Sequence, residues 1–189
     1  KKWAACRWAH PALSGLGQIK EEMGLSLENI ESVTLRSFEK GLLLNNPAPA
    51  STLQAVYSIP FSLAYFTKHG KIDPDDLMDE QAMVADEEIL ALARKIKLEH
   101  APEYTQEFPM QCIQDVEVKF VDGRVASRRG LESPGDPGKL AFTDEEILTK
   151  FRTLAAPVVG EAWRDIVQAV EELDGASDLN HLVSLLTVF

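Results

Sequence analysis

Residues 113–126, IQDVEVKFVDGRVA, carry the reading on which the fold turns. Ile113, Val116, Val118 and Phe120 supply the apolar positions, and Glu117 and Lys119 alternate with them at the two-residue period of a half-buried strand. Asp122-Gly123 follows, a dipeptide suited to the type I′ turn that joins antiparallel strands, and Val125-Ala126 begins the return. Arg124, Arg128 and Arg129 lie on the returning arm. Charge there blocks unwanted pairing, so a solvated edge strand is preferred to a substrate-binding set.

Upstream, Ile30, Val33 and Leu35 alternate with Glu31, Thr34 and Arg36, a strand pattern from Ile30 to Phe38 broken only at Ser32. A short strand is expected at 97–100, and Pro102 and Pro109 bracket a loop holding Tyr104. Between the strands the periodicity turns helical. Ser51 caps a helix that runs past Pro60 to Gly70, with Pro60 bending it. Asp73-Pro74 opens a helical turn, and Asp86 caps a helix from Glu87 to about Lys97. The acids from Asp73 to Glu88 lack the spacing of a calcium loop and read as helix-start charges rather than metal ligands. Gly130 to Gly138 is a Gly/Pro-rich loop, a candidate lid margin or internal boundary.

Beyond it the chain becomes helical. Thr143-Asp144-Glu145-Glu146 is a capping box, and Ile147, Leu148, Phe151 and Leu154 follow at helical spacing. Two more helices are expected, about 161–173 and 178–188, whose apolar residues could cover the sheet or form half of an interface. The pattern as a whole is α+β: a small, mainly antiparallel sheet with helices packed on it over residues 1–138, then a helical tail over 139–189.

Composition bounds what such a chain does. The 189 residues are 45% hydrophobic with a net charge of -11, and no long basic run appears, so nucleic acid and anionic membranes are unsuitable partners. No apolar run reaches the ~18 residues of a spanning helix. The two cysteines, Cys6 and Cys112, form no CxxC pair or disulfide framework, which favours a reducing, cytoplasmic setting. The glycine-rich phosphate loops, the HExxH zinc helix and the GxSxG elbow are absent. No signal peptide opens the chain, and its start at Lys1-Lys2 without Met reads as a piece of a longer protein or a processed product.

Chemistry concentrates in the first ten residues, KKWAACRWAH, which hold two lysines, a cysteine, a histidine and two tryptophans. Pro11, Ala12, Leu13, Leu16 and Ile19 then read as a helix running to Glu22 with Gly24 as its stop, weakened by Gly15 and Gly17. His10 falls at its N-terminus, where backbone N–H groups favour an anion. Lys, Cys and His together make a corner suited to carboxylate binding and proton transfer. The plainer alternative is a packed, Trp-rich helix start with His10 as its cap.

The decapeptide resembles the start of the C-terminal domain of the MmgE/PrpD family, a lysine followed by an aromatic, then Cys or His, then a His opening a helix. Residues 54–64, QAVYSIPFSLA, resemble that family's EAxxSxPY helix, and residues 30–33, the Asp122-Gly123 hairpin and Lys150-Phe151 fit in order. The likeness covers nearly the whole chain. It implies an α+β lid domain whose missing partner is an N-terminal helical domain, and a homodimer. The family dehydrates, epimerises or decarboxylates small di- and tricarboxylic acids without a metal, as in the 2-methylcitrate dehydratase of propionate metabolism. By resemblance Lys1, Cys6 and His10 are the catalytic residues and Lys2, Arg7 and Ser58 bind substrate, with no cofactor. The chain departs from the family at Trp3, Ala4 and Phe61, where Tyr, Pro and Tyr are usual. A non-catalytic ligand-binding or assembly module is the alternative from another class.

Overall fold

The computed structural model describes residues 1–187. They form two compact units, Lys1–Ala141 and the segment from Phe142 onward.

The first unit is built on four strands, β1 (Ile30–Ser37), β2 (Ile96–His100), β3 (Gln114–Phe120) and β4 (Val125–Leu131), in the order β2-β1-β3-β4. The hairpin expected from Asp122-Gly123 is β3–β4 and β4 is an edge, but the turn is not the primed one expected. Only Gly123 takes a positive φ, +87°, and its N–H donates to Phe120 O at 3.0 Å, so the chain turns over 120–123 and the left-handed glycine closes the loop. β1 pairs antiparallel with β3, and its register shifts between Ile30 and Ser32, where the alternation in sequence breaks. β2 pairs parallel with β1, so the sheet is mixed. A parallel pair needs a long crossover, and the helices between β1 and β2 provide it.

Those helices are α2 (Thr52–Val56), α3 (Ile59–His69), α4 (Glu80–Val84) and α5 (Glu87–Ala93). The single Pro60-bent helix expected from Ser51 is two helices. Ser51 caps α2 through the Gln54 N–H, the chain breaks at Tyr57-Ser58, and Pro60 stands in the first turn of α3. A proline there loses no hydrogen bond, since that N–H has no helical partner in any case. Pro102 acts alike: the stretch expected as a loop holds α6 (Pro102–Glu107). Asp86 caps α5 as expected, although α5 ends at Ala93 rather than Lys97.

Helix α1 (His10–Met23) lies across β3 and β4, and α3 packs on α1. Gly24 ends it at φ +70°. Gly15 faces the sheet: an added Cβ would stand 2.5 Å from Leu131 Cδ1 and 2.7 Å from Val116 Cγ1. The residue that weakens the helix in isolation is therefore what lets it approach the strands. Leu13, Leu16, Ile19, Leu35, Phe61, Val116, Val118 and Phe120 are buried to 1% exposure or less in one core. Each such side chain contributes about 1.5–3 kcal/mol of transfer free energy.

The other face of the sheet carries a charged groove lined by Thr34, Arg36, Glu99, Asp115, Glu117, Ser127 and Arg129. At its end Asp115 accepts from Arg36 Nη1 at 2.9 Å, Tyr104 Oη at 2.6 Å and the Gly130 N–H at 2.9 Å. Burial and then the Asp115 hydrogen bond push the Tyr104 phenol up to about 12. Gly130 sits at φ +61° where the β3–β4 register shifts between Gln114 and Val116. Of the hairpin arginines, Arg124 pairs with Asp122 and Arg128 with Glu22.

The second unit holds α7 (Asp144–Val159), α8 (Trp163–Glu171) and α9 (Asn180–Leu186), with α8 packed on both neighbours. Its capping box forms as the sequence spells it: the Thr143 hydroxyl accepts from the Glu146 N–H, and Glu146 accepts from the Thr143 N–H. The helix expected to reach Val188 is α9; Val188 itself lies outside the described residues. Among the described residues no helix is long and apolar enough to cross a membrane.

Candidate functional site

The opening decapeptide folds back on itself at Ala5. Lys1 Nζ donates to the Ala5 carbonyl at 3.1 Å, and His10 Nε2 lies 3.4 Å from the same oxygen. Cys6 is the next residue, half-buried, and its N–H donates to Val56 O at 2.9 Å. Three residues singled out in the sequence thus gather around one peptide group. The Ala4 N–H, donating to Ile72 O at 2.8 Å, pins the other side of the turn.

His10 is more covered than a helix-opening residue needs to be. It exposes 1% of its surface, and the Trp3 ring meets it edge-on at 5.2 Å and 75°. It is the first residue of α1, and the capping role open to it in the sequence is not the one it plays: Ala9 holds the cap position, without a side-chain hydrogen bond. The donor available to an anion at this helix start is also taken. The Ala12 N–H donates to Gln114 Oε1 at 3.2 Å.

The substrate-binding candidates diverge. Lys2 Nζ turns outward over the Trp3 ring, 5.0 Å from its centre. Arg7 grips Asp136 with two parallel bonds, Nε to Oδ1 at 2.7 Å and Nη2 to Oδ2 at 2.5 Å. That hydrogen bonding, opposed by partial burial, raises the Arg7 pKa. Ser58, 1% exposed, donates to Asn46 O at 2.5 Å and accepts from the Phe61 N–H at 3.1 Å, so its hydroxyl caps α3. It stands two residues past the Val56 carbonyl that holds Cys6.

Sequence reasoning missed the residues that hold this corner. Gln114, 0% exposed, donates from Nε2 to Trp8 O at 2.8 Å and to Ser37 Oγ at 2.9 Å. Ser133 donates to Arg7 O at 3.3 Å, and Asp136 closes the loop that the glycines at 130–138 suggested. Gln114 had one visible signal, a polar residue on the apolar phase of β3. Ser133 and Asp136 had none.

Both cysteines are free, and Cys112 is fully buried. Burial pushes its thiol up to about 11 from an ordinary 9, with Arg7 opposing. A thiol whose native pKa is raised stays protonated in the fold but ionises on unfolding. Its contribution to stability is therefore present below pH 9 and declines as pH rises from 9 toward 11. Iodoacetamide at pH 8 should modify half-buried Cys6 and spare Cys112 in the native protein, read by peptide mass; labelling of Cys112 first would contradict this burial order.

Among the described residues no group of three or more His, Cys, Asp or Glu side chains could hold a metal ion. Comparison with the curated proteins gives no match. The family model of the MmgE/PrpD C-terminal domain matches residues 3–174, which takes in Cys6, His10, Ser58 and Gln114 and stops short of Lys1 and Lys2. The chain belongs to the MmgE/PrpD family, as its C-terminal domain.

Proposed function

We propose that this domain is part of a lyase or isomerase that removes a proton next to a carboxylate of a small di- or tricarboxylic acid, in the manner of 2-methylcitrate dehydratase. The observation that carries the reading is the convergence of Lys1 and His10 on the Ala5 carbonyl, with Cys6 adjoining it.

In this reaction the difficulty is the charge left on the substrate when the proton leaves. A cation held near the carboxylate stabilises that enolate-like charge, and a base near neutral pKa accepts the proton. Lys1, an exposed residue, supplies the cation, with Lys2 adjacent to it. His10 is the base. Its 3.4 Å contact with Ala5 O is long and weak for a hydrogen bond, the kind given up readily when a substrate arrives. A ring so covered meets substrate only if the Lys1–Ala5 turn shifts. Cys6, half-buried and next to Ala5 in the chain, returns a proton to a leaving hydroxyl or to the opposite face of the carbanion in this reading. Ser58 and Arg7 act from behind, Ser58 by fixing the start of α3 and Arg7 by anchoring the turn to Asp136.

The site is completed by an N-terminal helical domain, and the active species is a cytoplasmic homodimer. The test is a panel of small polycarboxylates offered to the intact protein with that domain present. Dehydration is read by ultraviolet absorbance of a new double bond, decarboxylation by carbon dioxide release and epimerisation by proton exchange. Turnover of at least one member is the expected result; inertness toward the whole panel would overturn the reading.

A further inference from the structure

Helix α1 starts without a cap of its own, and the residue that supplies one comes from the middle of the sheet. Gln114 is separated from His10 by 104 positions in sequence, yet it holds the backbone on both sides of that histidine. Its Nε2 donates to Trp8 O, two residues before His10, and its Oε1 accepts from the Ala12 N–H, two residues after. The second Nε2 hydrogen goes to Ser37 Oγ on the neighbouring strand β1. Each donor and acceptor that the amide needs for this bridge has a partner, and the residue is 0% exposed.

A carboxamide is the one side-chain group that fits here. It must donate to a carbonyl and accept from an amide at once, from a single planar group. Glutamate of the same length could accept from Ala12 but would set a carboxylate against the Trp8 carbonyl. Methionine would fill the space and leave all three partners unsatisfied in the interior. An apolar residue on this phase of β3 would bury at less risk, so a fully bonded glutamine costs the core something that local packing does not explain.

We propose that Gln114 is the positioning residue for His10. It clamps Trp8 and Ala12 so that the histidine ring is delivered to the Ala5 carbonyl and, through it, to the Lys1–Cys6 turn. This rests on the reading of His10 as the proton-transferring group.

The test compares Gln114→Glu with Val118→Ala in the intact protein. Val118 is equally buried in β3, about 13 Å further along the strand at ~3.3 Å per residue, and takes no part in the corner. With Tm losses matched by temperature or denaturant, Gln114→Glu should lose at least tenfold in kcat with KM within twofold, whereas Val118→Ala keeps its kcat within twofold. Equal kcat values, or a loss confined to KM, overturn the proposal. If Gln114→Glu does not fold, Ser37→Ala removes one of the three partners alone; a severalfold fall in kcat supports the proposal and an unchanged kcat overturns it.

Should the wild type turn over no polycarboxylate, the functional reading fails and Gln114 is judged separately by NMR of the His10 ring. Ring resonances displaced in Gln114→Glu and unmoved in Val118→Ala sustain the positioning role. Resonances alike in both variants overturn it.

Discussion

His10→Gln should lower kcat/KM by about 10²–10⁴-fold, the range that one positioned acid–base group contributes. The same variant should lose only a few degrees of Tm. Glutamine keeps a donor and an acceptor within reach of the Ala5 carbonyl, and what goes is mainly the edge-on contact with Trp3 at 5.2 Å. Such an aromatic pair is worth about 0.5–1.5 kcal/mol beyond its area. Paired measurements of kinetics and thermal unfolding decide the matter. An activity loss with the fold intact assigns His10 to proton transfer, and one that merely follows unfolding returns it to packing at the helix start.

The largest stability effect is expected at Phe61. Its ring is 0% exposed and lies 6.1 Å from that of Tyr65 along α3. Truncation of a buried phenylalanine removes its transfer free energy and leaves a cavity, so Phe61→Ala should cost about 3–5 kcal/mol, read as a fall in the denaturant midpoint at constant slope. Phe61→Tyr bears on the family comparison. A hydroxyl placed in this core without a partner costs about 1–3 kcal/mol. A fully stable Phe61→Tyr would mean instead that the hydroxyl reaches a polar partner, as a tyrosine lining a substrate site must.

How much of this was legible in the sequence depends on how far apart the interacting residues lie. The β3–β4 hairpin was readable because its alternation and its Asp-Gly turn are local, and α1 because Gly24 stops it. The Thr143 capping box was readable for the same reason. Proline misled twice. By pattern alone Pro60 reads as a bend and Pro102 as a loop margin, although each stands where a helix begins, a position in which its missing N–H is harmless. The parallel pairing of β1 with β2 has no signal of its own, since either direction uses the same alternation.

At the candidate site the chemistry-bearing residues were visible and their supports were not. Lys1, Cys6 and His10 lie within ten residues, so their meeting at Ala5 follows from a short turn. Arg7, a substrate ligand by resemblance, is paired with a carboxylate 129 residues away, a partner that no local pattern announces. Gln114 and Gly15 tell the same story. Each breaks a local rule, a polar side chain in a buried strand and a glycine inside a helix, and each break is resolved by a partner across the fold.

The measurement that tests the central claim most directly is exchange of deuterium from solvent into the carbon next to a carboxylate, followed by NMR across the polycarboxylate panel with the intact protein. Exchange by the wild type that falls at least a hundredfold in His10→Gln is the result predicted here. A wild type that promotes no exchange, or a His10→Gln variant that exchanges as fast, would contradict the account.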